Sequence, residues 1–554
     1  MDPEFEKAVQ RNPHLGEYVR KFMQENDADE PVFMVSLSKD IDSENVNLIL
    51  PVGDPVFIHL YGTAELGEVR YYGVEPELND LEKKKYDAIL NIVLEKSASE
   101  PVPNSEAELK DMISKLLNEA VNVGEGGAID DGNDDAGKFA FLQKLMPVQK
   151  KVPLTQMEYN KLVYHIERNI IGSGPIEPII RDPYLEDISS IGVDNVFIVH
   201  KIFDMIKTDL TFGDEKGLDD WLRSMTERIG RPVSDSRPIA DGALPDGSRI
   251  NVIYSLDVSK RGSSFTMRKF SDVPVSIIQL INWGALDCNM AAYMWMCLEN
   301  GMSIFFSGET ASGKTTMLNA CLAFVNPRAK IFSAEDTAEV QPPQPVWQQL
   351  ITREDGPPES RVDTFALLKA ALRSRPNYII VGEIRGAEGN VAFQGMQTGH
   401  PVLATFHASA VTKMIQRLTA DPINVPVTFI DNLNIAMILS AVYRKGKFLR
   451  RALAVEEIEG YYEEIGGVAT RAVFQWDPES DSHNFRGLNN SYILEDKIAS
   501  TLGYEDKRQI YQDLFLRSKI LSEMQSRGID DYYEVLEIIV NFYKYGVDGL
   551  PFTI

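Results

Sequence analysis

The apolar positions of this chain change their spacing along its length, and the changes mark out its parts. From Ser276 to about Arg417, short apolar runs at Met302–Ser307, Lys330–Ala334, Tyr378–Val381 and Val402–Thr405 alternate with helix-forming stretches. Strands separated by helical patterns predict a parallel sheet with crossover helices. The residues directly after the four runs are Gly308, Glu335-Asp336, Gly382-Glu383 and Phe406-His407. Open α/β sheets bind ligands beyond the carboxyl ends of their strands, so all four groups are expected at one crevice.

Upstream the pattern is mixed. Pro55–Tyr61 and Glu68–Val74 are β-rich runs around a glycine-containing turn, which predicts a hairpin. A capping box at Ser105–Glu108 opens a helix with Leu109, Met112, Ile113, Leu116 and Leu117 on one face, and a second at Thr155–Glu158 opens a helix that Gly172–Pro178 breaks. Tyr184–Thr266 combines strand-like runs with one helix near Leu218–Ile229. Beyond Arg417 come further helix, β-like segments at Leu453–Glu459 and Thr470–Trp476, and two closing helices. The expected organisation is an α+β domain over 1–120, a glycine- and aspartate-rich linker over 121–137, a second α+β domain over 138–272, an α/β core over 273–440 and a small helical and β subdomain over 441–554.

Charge and cysteine content narrow the classes. With 56 Lys+Arg against 82 Asp+Glu the net charge is −26, which argues against a general affinity for nucleic-acid phosphates. Three cysteines without a CxxC pair support neither a disulfide framework nor a cysteine zinc site, and the chain reads as cytosolic. No run of apolar residues is long enough for a membrane span, and no signal peptide opens the sequence.

The chemistry centres on Gly308-Glu309-Thr310-Ala311-Ser312-Gly313-Lys314-Thr315, with Thr316 opening the following helix. The order of strand, glycine-rich loop and helix is that of a Walker A loop, which wraps ATP phosphates with successive N–H groups. Lys314 would reach the β- and γ-phosphates, and the Thr315 hydroxyl is a hard ligand suited to Mg²⁺. Hydrolysis also needs a carboxylate near the metal and a group that activates water. Glu383 is the expected metal-side carboxylate, in a Walker B-like strand where Gly382 replaces the usual aspartate, and Glu335 is the candidate general base. His400 and His407 flank one strand and could report nucleotide state. The segment before the core is rich in arginine, including Arg231, Arg237, Arg249, Arg261 and Arg268.

Together these stretches resemble the ATPase family that powers type II secretion, type IV pili and the archaellum, its archaeal members in particular. The resemblance covers roughly residues 150–550. Ile331–Glu339 is similar to the family's acidic box, Leu372–Gly386 to its atypical Walker B strand, where the glycine is a family trait, and Met396–Ala408 to its histidine box. It implies a RecA-like ATPase core, and phosphate-directed roles for Arg249 in Leu244–Arg249 and Arg268 in Thr266–Phe270, with Arg237 a weaker match. It further implies a homo-hexamer at the inner face of the cell membrane, acting through a polytopic membrane platform protein on pilin-like subunits. The tetracysteine subdomain of many bacterial members has no counterpart, since no cysteine follows Cys321. A nucleic-acid translocase and a nucleotide-gated scaffold without catalysis are the alternatives. The negative charge opposes the first, and the pair Glu335 and Glu383 opposes the second.

Overall fold

The structure, a computed structural model, describes residues 3–35, 37, 45–63, 69–103, 105–124, 151–270, 273–353, 357–444, 447–464 and 466–554. It divides into two compact units, Met1–Lys269 and Phe270–Ile554. The linker expected over 121–137 lies, from residue 125 on, outside the described residues.

The first unit is built on a ten-stranded sheet. Its strands are β1 (Val32–Phe33), β2 (Val46–Pro51), β3 (Phe57–Gly62), β4 (Arg70–Val74), β7 (Leu185–Ile191), β8 (Val196–His200), β9 (Asp204–Thr208), β10 (Ile239–Ala243), β11 (Arg249–Ile253) and β12 (Ser264–Arg268). Between them in sequence, β5 (Val121–Val123) and β6 (Val152–Leu154) form a separate parallel pair. The sheet order is β1-β2-β3-β4-β9-β8-β7-β12-β11-β10. β3 and β4 pair antiparallel, as the two β-rich runs lead one to expect. Segments 1–120 and 138–272 share this sheet through the parallel register of Arg70 with Lys207 and Tyr71 with Thr208.

Local signals fix the helices of this unit. Thr155 accepts from the Glu158 amide while the Glu158 carboxylate accepts from the Thr155 amide, the reciprocal cap that the spacing predicts. Leu162 and Ile166 on that helix are buried against Ile113, Leu116 and Leu117 of the helix Glu106–Ala120. A second core holds Trp221 of the helix Glu215–Arg228 against Phe265 of β12, with ring centroids 4.7 Å apart.

The second unit carries the expected parallel sheet. Its strands are β13 (Ile304–Gly308), β14 (Lys330–Glu335), β15 (Val346–Ile351), β16 (Tyr378–Val381), β17 (Val402–Phe406), β18 (Ile435–Arg444), β19 (Lys447–Tyr462), β20 (Gly467–Asp477) and β21 (Ser482–Phe485). Their order is β15-β14-β16-β17-β13-β18-β19-β20-β21. Every pair from β15 to β18 is parallel, and every pair from β18 outward is antiparallel. The expected boundary at 440 falls inside β18, and the β segments beyond it extend the same sheet.

Continuous apolar runs suit this sheet because it is covered on both faces. Ile304 and Phe306 of β13 join the core shared with the helices Cys288–Glu299, Ile510–Ser526 and Tyr532–Tyr545. Phe305, between them, points to the other core with Phe393 and Phe406. Among the described residues no helix is long and apolar enough to cross a membrane.

Candidate functional site

β13 delivers the chain into the glycine loop at Gly308. A Cβ there would lie 2.3 Å from the Leu439 carbonyl oxygen and 2.6 Å from Ser312 Oγ, so only glycine fits. Ala311 and Gly313 adopt positive φ of 62° and 85°, which curls the loop back on itself. The helix Lys314–Cys321 then starts from Gly313 with no side chain capping its first turn, which leaves backbone N–H groups directed into the loop. Glu309, Thr310 and Ala311 are exposed at the rim, Ser312 is buried with its hydroxyl donating to the Glu309 carbonyl at 2.8 Å, and Thr315 and Thr316 are half-buried on the first turn.

Lys314 turns its ammonium onto the loop, donating to the carbonyls of Gly308 at 3.1 Å and Glu309 at 2.9 Å. Burial lowers its pKa, and the charges of Glu383 and Glu339 oppose that shift. The cation is thus held at the loop by acceptors that an anionic ligand would replace.

The carboxylates after β14 and β16 take different places. Glu335 is 1% exposed; its Oε2 accepts the amides of Glu339 at 2.7 Å and Val340 at 2.8 Å, and its Oε1 accepts from Gln349 at 3.2 Å. Burial raises its pKa against those hydrogen bonds. This geometry makes Glu335 the anchor of the 336–340 turn, with its oxygens engaged. Glu383 instead stands within the electrostatic reach of Lys314, with Arg385 Nη2 2.5 Å from its Oε2 and His407 Nε2 3.2 Å from its Oε1. Burial works to raise its pKa, but the hydrogen bond and charge of Arg385, helped by His407 and Lys314, hold it below the ordinary value. His407 is itself lowered, by burial first and then by Lys314, against the pull of Glu383. At neutral pH the pair is therefore a carboxylate beside a neutral imidazole.

Gly382 has a steric reason. A Cβ at this position would sit 3.2 Å from Glu335 Cγ, so a side chain here would crowd the buried glutamate and require it to shift.

Not every expected residue joins the cluster. His400 lies before the amino end of β17, whereas His407 follows its carboxyl end, so the structure does not bring His400 to the loop. It pairs locally, with Nδ1 3.1 Å from Thr398 Oγ1. In a parallel sheet the two ends of one strand face opposite rims, so His400 and His407 lie apart.

The three arginines belong to the first unit. Arg249 and Arg268 are direct cross-strand partners on β11 and β12 and so share a face of the sheet. Arg249 makes a two-bonded contact with Asp241 at 3.0 and 3.1 Å, and Arg268 donates to Asp187 at 3.2 Å. Arg237 sits in a tight turn closed by its amide on the Ser234 carbonyl.

Two basic groups beside the loop and Glu383 were not singled out from the sequence. Arg385 ties Glu383 to Asp336, whose Oδ2 is 4.0 Å away, and its place two residues after Glu383 was the available signal. Arg450, far along the chain, donates to the Ala311 carbonyl at 3.1 Å, and nothing local announces it.

Comparison with known proteins gives the chain a family. The model of the family described as Type II/IV secretion system protein matches residues 170–442. The chain is 56% identical over 556 residues to the uncharacterized protein MJ0900 of Methanocaldococcus jannaschii, covering 100% of this chain and 99% of that one. It is 26% identical over 244 residues to the type IV secretion system protein VirB11 of Bartonella quintana, covering 38% of this chain and 68% of the other. The crystal structure of the Legionella pneumophila ATPase DotB aligns over 64% of this chain and 92% of its own, at 17% identity and a TM-score of 0.37, too low to add weight. The chain belongs to the type II/IV secretion system family.

Proposed function

We propose that this chain is a Mg²⁺-dependent ATPase motor of the secretion and pilus-assembly kind, with a RecA-like core in its second unit. The observation that carries the reading is the meeting of Lys314, in a loop of open N–H groups, with the Glu383, Arg385 and His407 cluster beyond β16 and β17. Membership of the secretion family supports it.

The loop from Gly308 to Thr316 would bind the ATP phosphates, with Lys314 leaving its carbonyl partners for phosphate oxygens. Among the described residues no group of three or more His, Cys, Asp or Glu could hold a metal, so a divalent cation here would draw most of its ligands from nucleotide and water. Hard oxygens on Thr315 and Glu383 fit that arrangement, Glu383 partly through water. Bound Mg²⁺ supplies charge neutralisation across the phosphate oxygens.

Glu383 is also the better placed of the two glutamates to orient attacking water, while Glu335 shapes the turn beside it. His407, neutral and in contact with Glu383, would sense the γ-phosphate. Arg249 and Arg268, with Arg237 less directly, would add positive charge at the phosphates, as the family resemblance implies. The working form is a homo-hexamer at the inner face of the cell membrane that passes closure and opening to a polytopic platform protein and so to pilin-like subunits, without nucleic acid.

Phosphate release by the Lys314→Ala chain tests the site. Loss of turnover by a factor of about 10³ or more, with an unchanged thermal midpoint, is expected from removal of the phosphate-binding charge. Turnover like that of the wild type would reject the loop as the nucleotide site.

A further inference from the structure

β18 runs parallel to β13, with Leu439 opposite Gly308, and continues from Ser440 to Arg444 beyond the point where β13 gives way to the loop. Five residues of strand carry it about 16 Å past that point. β19 returns antiparallel beside it, with Arg450 opposite Ala441 and Arg451 opposite Ser440. This stretch is dense in positive charge for so acidic a chain: Arg444, Lys445, Lys447, Arg450 and Arg451.

Neighbouring residues of a strand point to opposite faces, and here the two adjacent arginines divide the work. Arg451 is 6% exposed, bonded to both oxygens of Asp481 at 2.9 and 3.0 Å and to the Trp283 carbonyl at 2.9 Å. Arg444 and the Trp476 indole also converge on Asp481. This clamp holds the register of β19. A bulge between Ile438 and Leu439 shifts the pairing next to the residue whose carbonyl abuts Gly308. Arg450, on the other face, therefore falls against the glycine loop. Its Nε donates to the Ala311 carbonyl at 3.1 Å, and its Cδ would lie 3.4 Å from a Cβ at Gly313. It bonds to Ala311 and lies beside Gly313, the two residues of the loop that hold positive φ.

A non-glycine residue in the left-handed region needs its surroundings to hold it there. We propose that Arg450 is a positioning residue of the nucleotide site: its guanidinium, delivered by the clamped strand, fixes Ala311 in its turn and so sets the affinity of the loop for nucleotide phosphates. This rests on the nucleotide reading of the loop. Arg450 acts on the loop backbone, so its removal weakens binding more than it slows the chemical step.

The test compares wild-type, Arg450→Ala and Arg450→Lys full-length chains by binding of a fluorescent N-methylanthraniloyl ATP with Mg²⁺, by KM and kcat for ATP, and by thermal midpoint without nucleotide. Arg450→Ala is expected to raise the dissociation constant and KM about tenfold, the scale of one lost charge-assisted contact, with kcat within about twofold and the nucleotide-free midpoint unchanged. Lysine, which keeps the charge and an N–H donor group but loses the planar fork, should recover part of the affinity. KM equal to that of the wild type, a loss confined to kcat, or a lysine variant no better than alanine would overturn the positioning role. A wild-type chain that binds no nucleotide would overturn the reading beneath it as well, which separates the two failures.

Discussion

The two units place their charges differently. In the first, charges are matched along the framework: Arg249 with Asp241, Arg268 with Asp187, and the buried Lys85 with Glu158 at 2.6 Å. Its histidines are taken up by the interior. His59 is fully buried, joined through its two ring nitrogens to Tyr18 and Asn47, with Phe22 edge-on at 4.4 Å. In the second, charges collect where strands end and loops begin, at Lys314, Glu383, Arg385 and His407. A mostly antiparallel sheet offers cross-strand pairs all along its faces, while a parallel sheet gathers its loops at one rim. The same residue types make framework pairs in both units, Arg451 with Asp481 among them, but in the second they also gather in a cluster at the strand ends.

The sharpest way to break this contrast lies within the second unit. Glu383→Gln is expected to cut phosphate release by a factor of about 10² or more, whereas Glu335→Gln, whose oxygens already serve the turn, should stay within about tenfold. Reversal of that order, measured at saturating ATP, would return the water-activating role to Glu335.

Next in size is steric. Gly308→Ala forces a methyl against the Leu439 carbonyl and should cost about 1–3 kcal/mol in denaturant unfolding of the second unit. A fully stable variant would mean that the loop and β18 separate readily.

A further test probes the first unit. Burial pushes the His59 pKa down to about 4 from an ordinary 6.5. Its neutral ring therefore contributes stability that is complete above about pH 6.5 and is lost as the pH falls toward 4, by about 1.4 kcal/mol per pH unit. Asp209, raised to about 6 by burial, works the other way as the pH falls below 6. The histidine contribution is thus read from the difference between the wild type and His59→Asn. Chemical denaturation between pH 6.5 and 4.5 should show a shallower acid loss in the variant, and parallel curves would remove His59 from the account.

How much of this could be read in the sequence followed from how local each signal was. β13, β14, β16 and β17 stood out because strands covered on both faces are continuous apolar runs ended by glycine or acid. The capping box at Thr155 was equally local. The union of 1–120 with later strands was hidden because it rests on the short register of Tyr71 with Thr208, residues far apart in the chain and joined by no motif. Arg450 was hidden for the same reason, since its meeting with Ala311 depends on a bulge and on the Asp481 clamp. His400 was a different case: its place before β17 already put it at the wrong rim of a parallel sheet. The glycine at 382 could be noticed in the sequence, but the buried Glu335 that crowds it could not.

We propose that the cluster at the glycine loop is the ATP site of a ring-forming motor. Specific ATPase activity of the purified chain against its own concentration, with Mg²⁺ and without nucleic acid, tests it most directly. The account predicts activity per chain that rises to a plateau as subunits assemble, and that vanishes in Lys314→Ala at every concentration. Activity absent throughout, or appearing only when DNA is added, would contradict it.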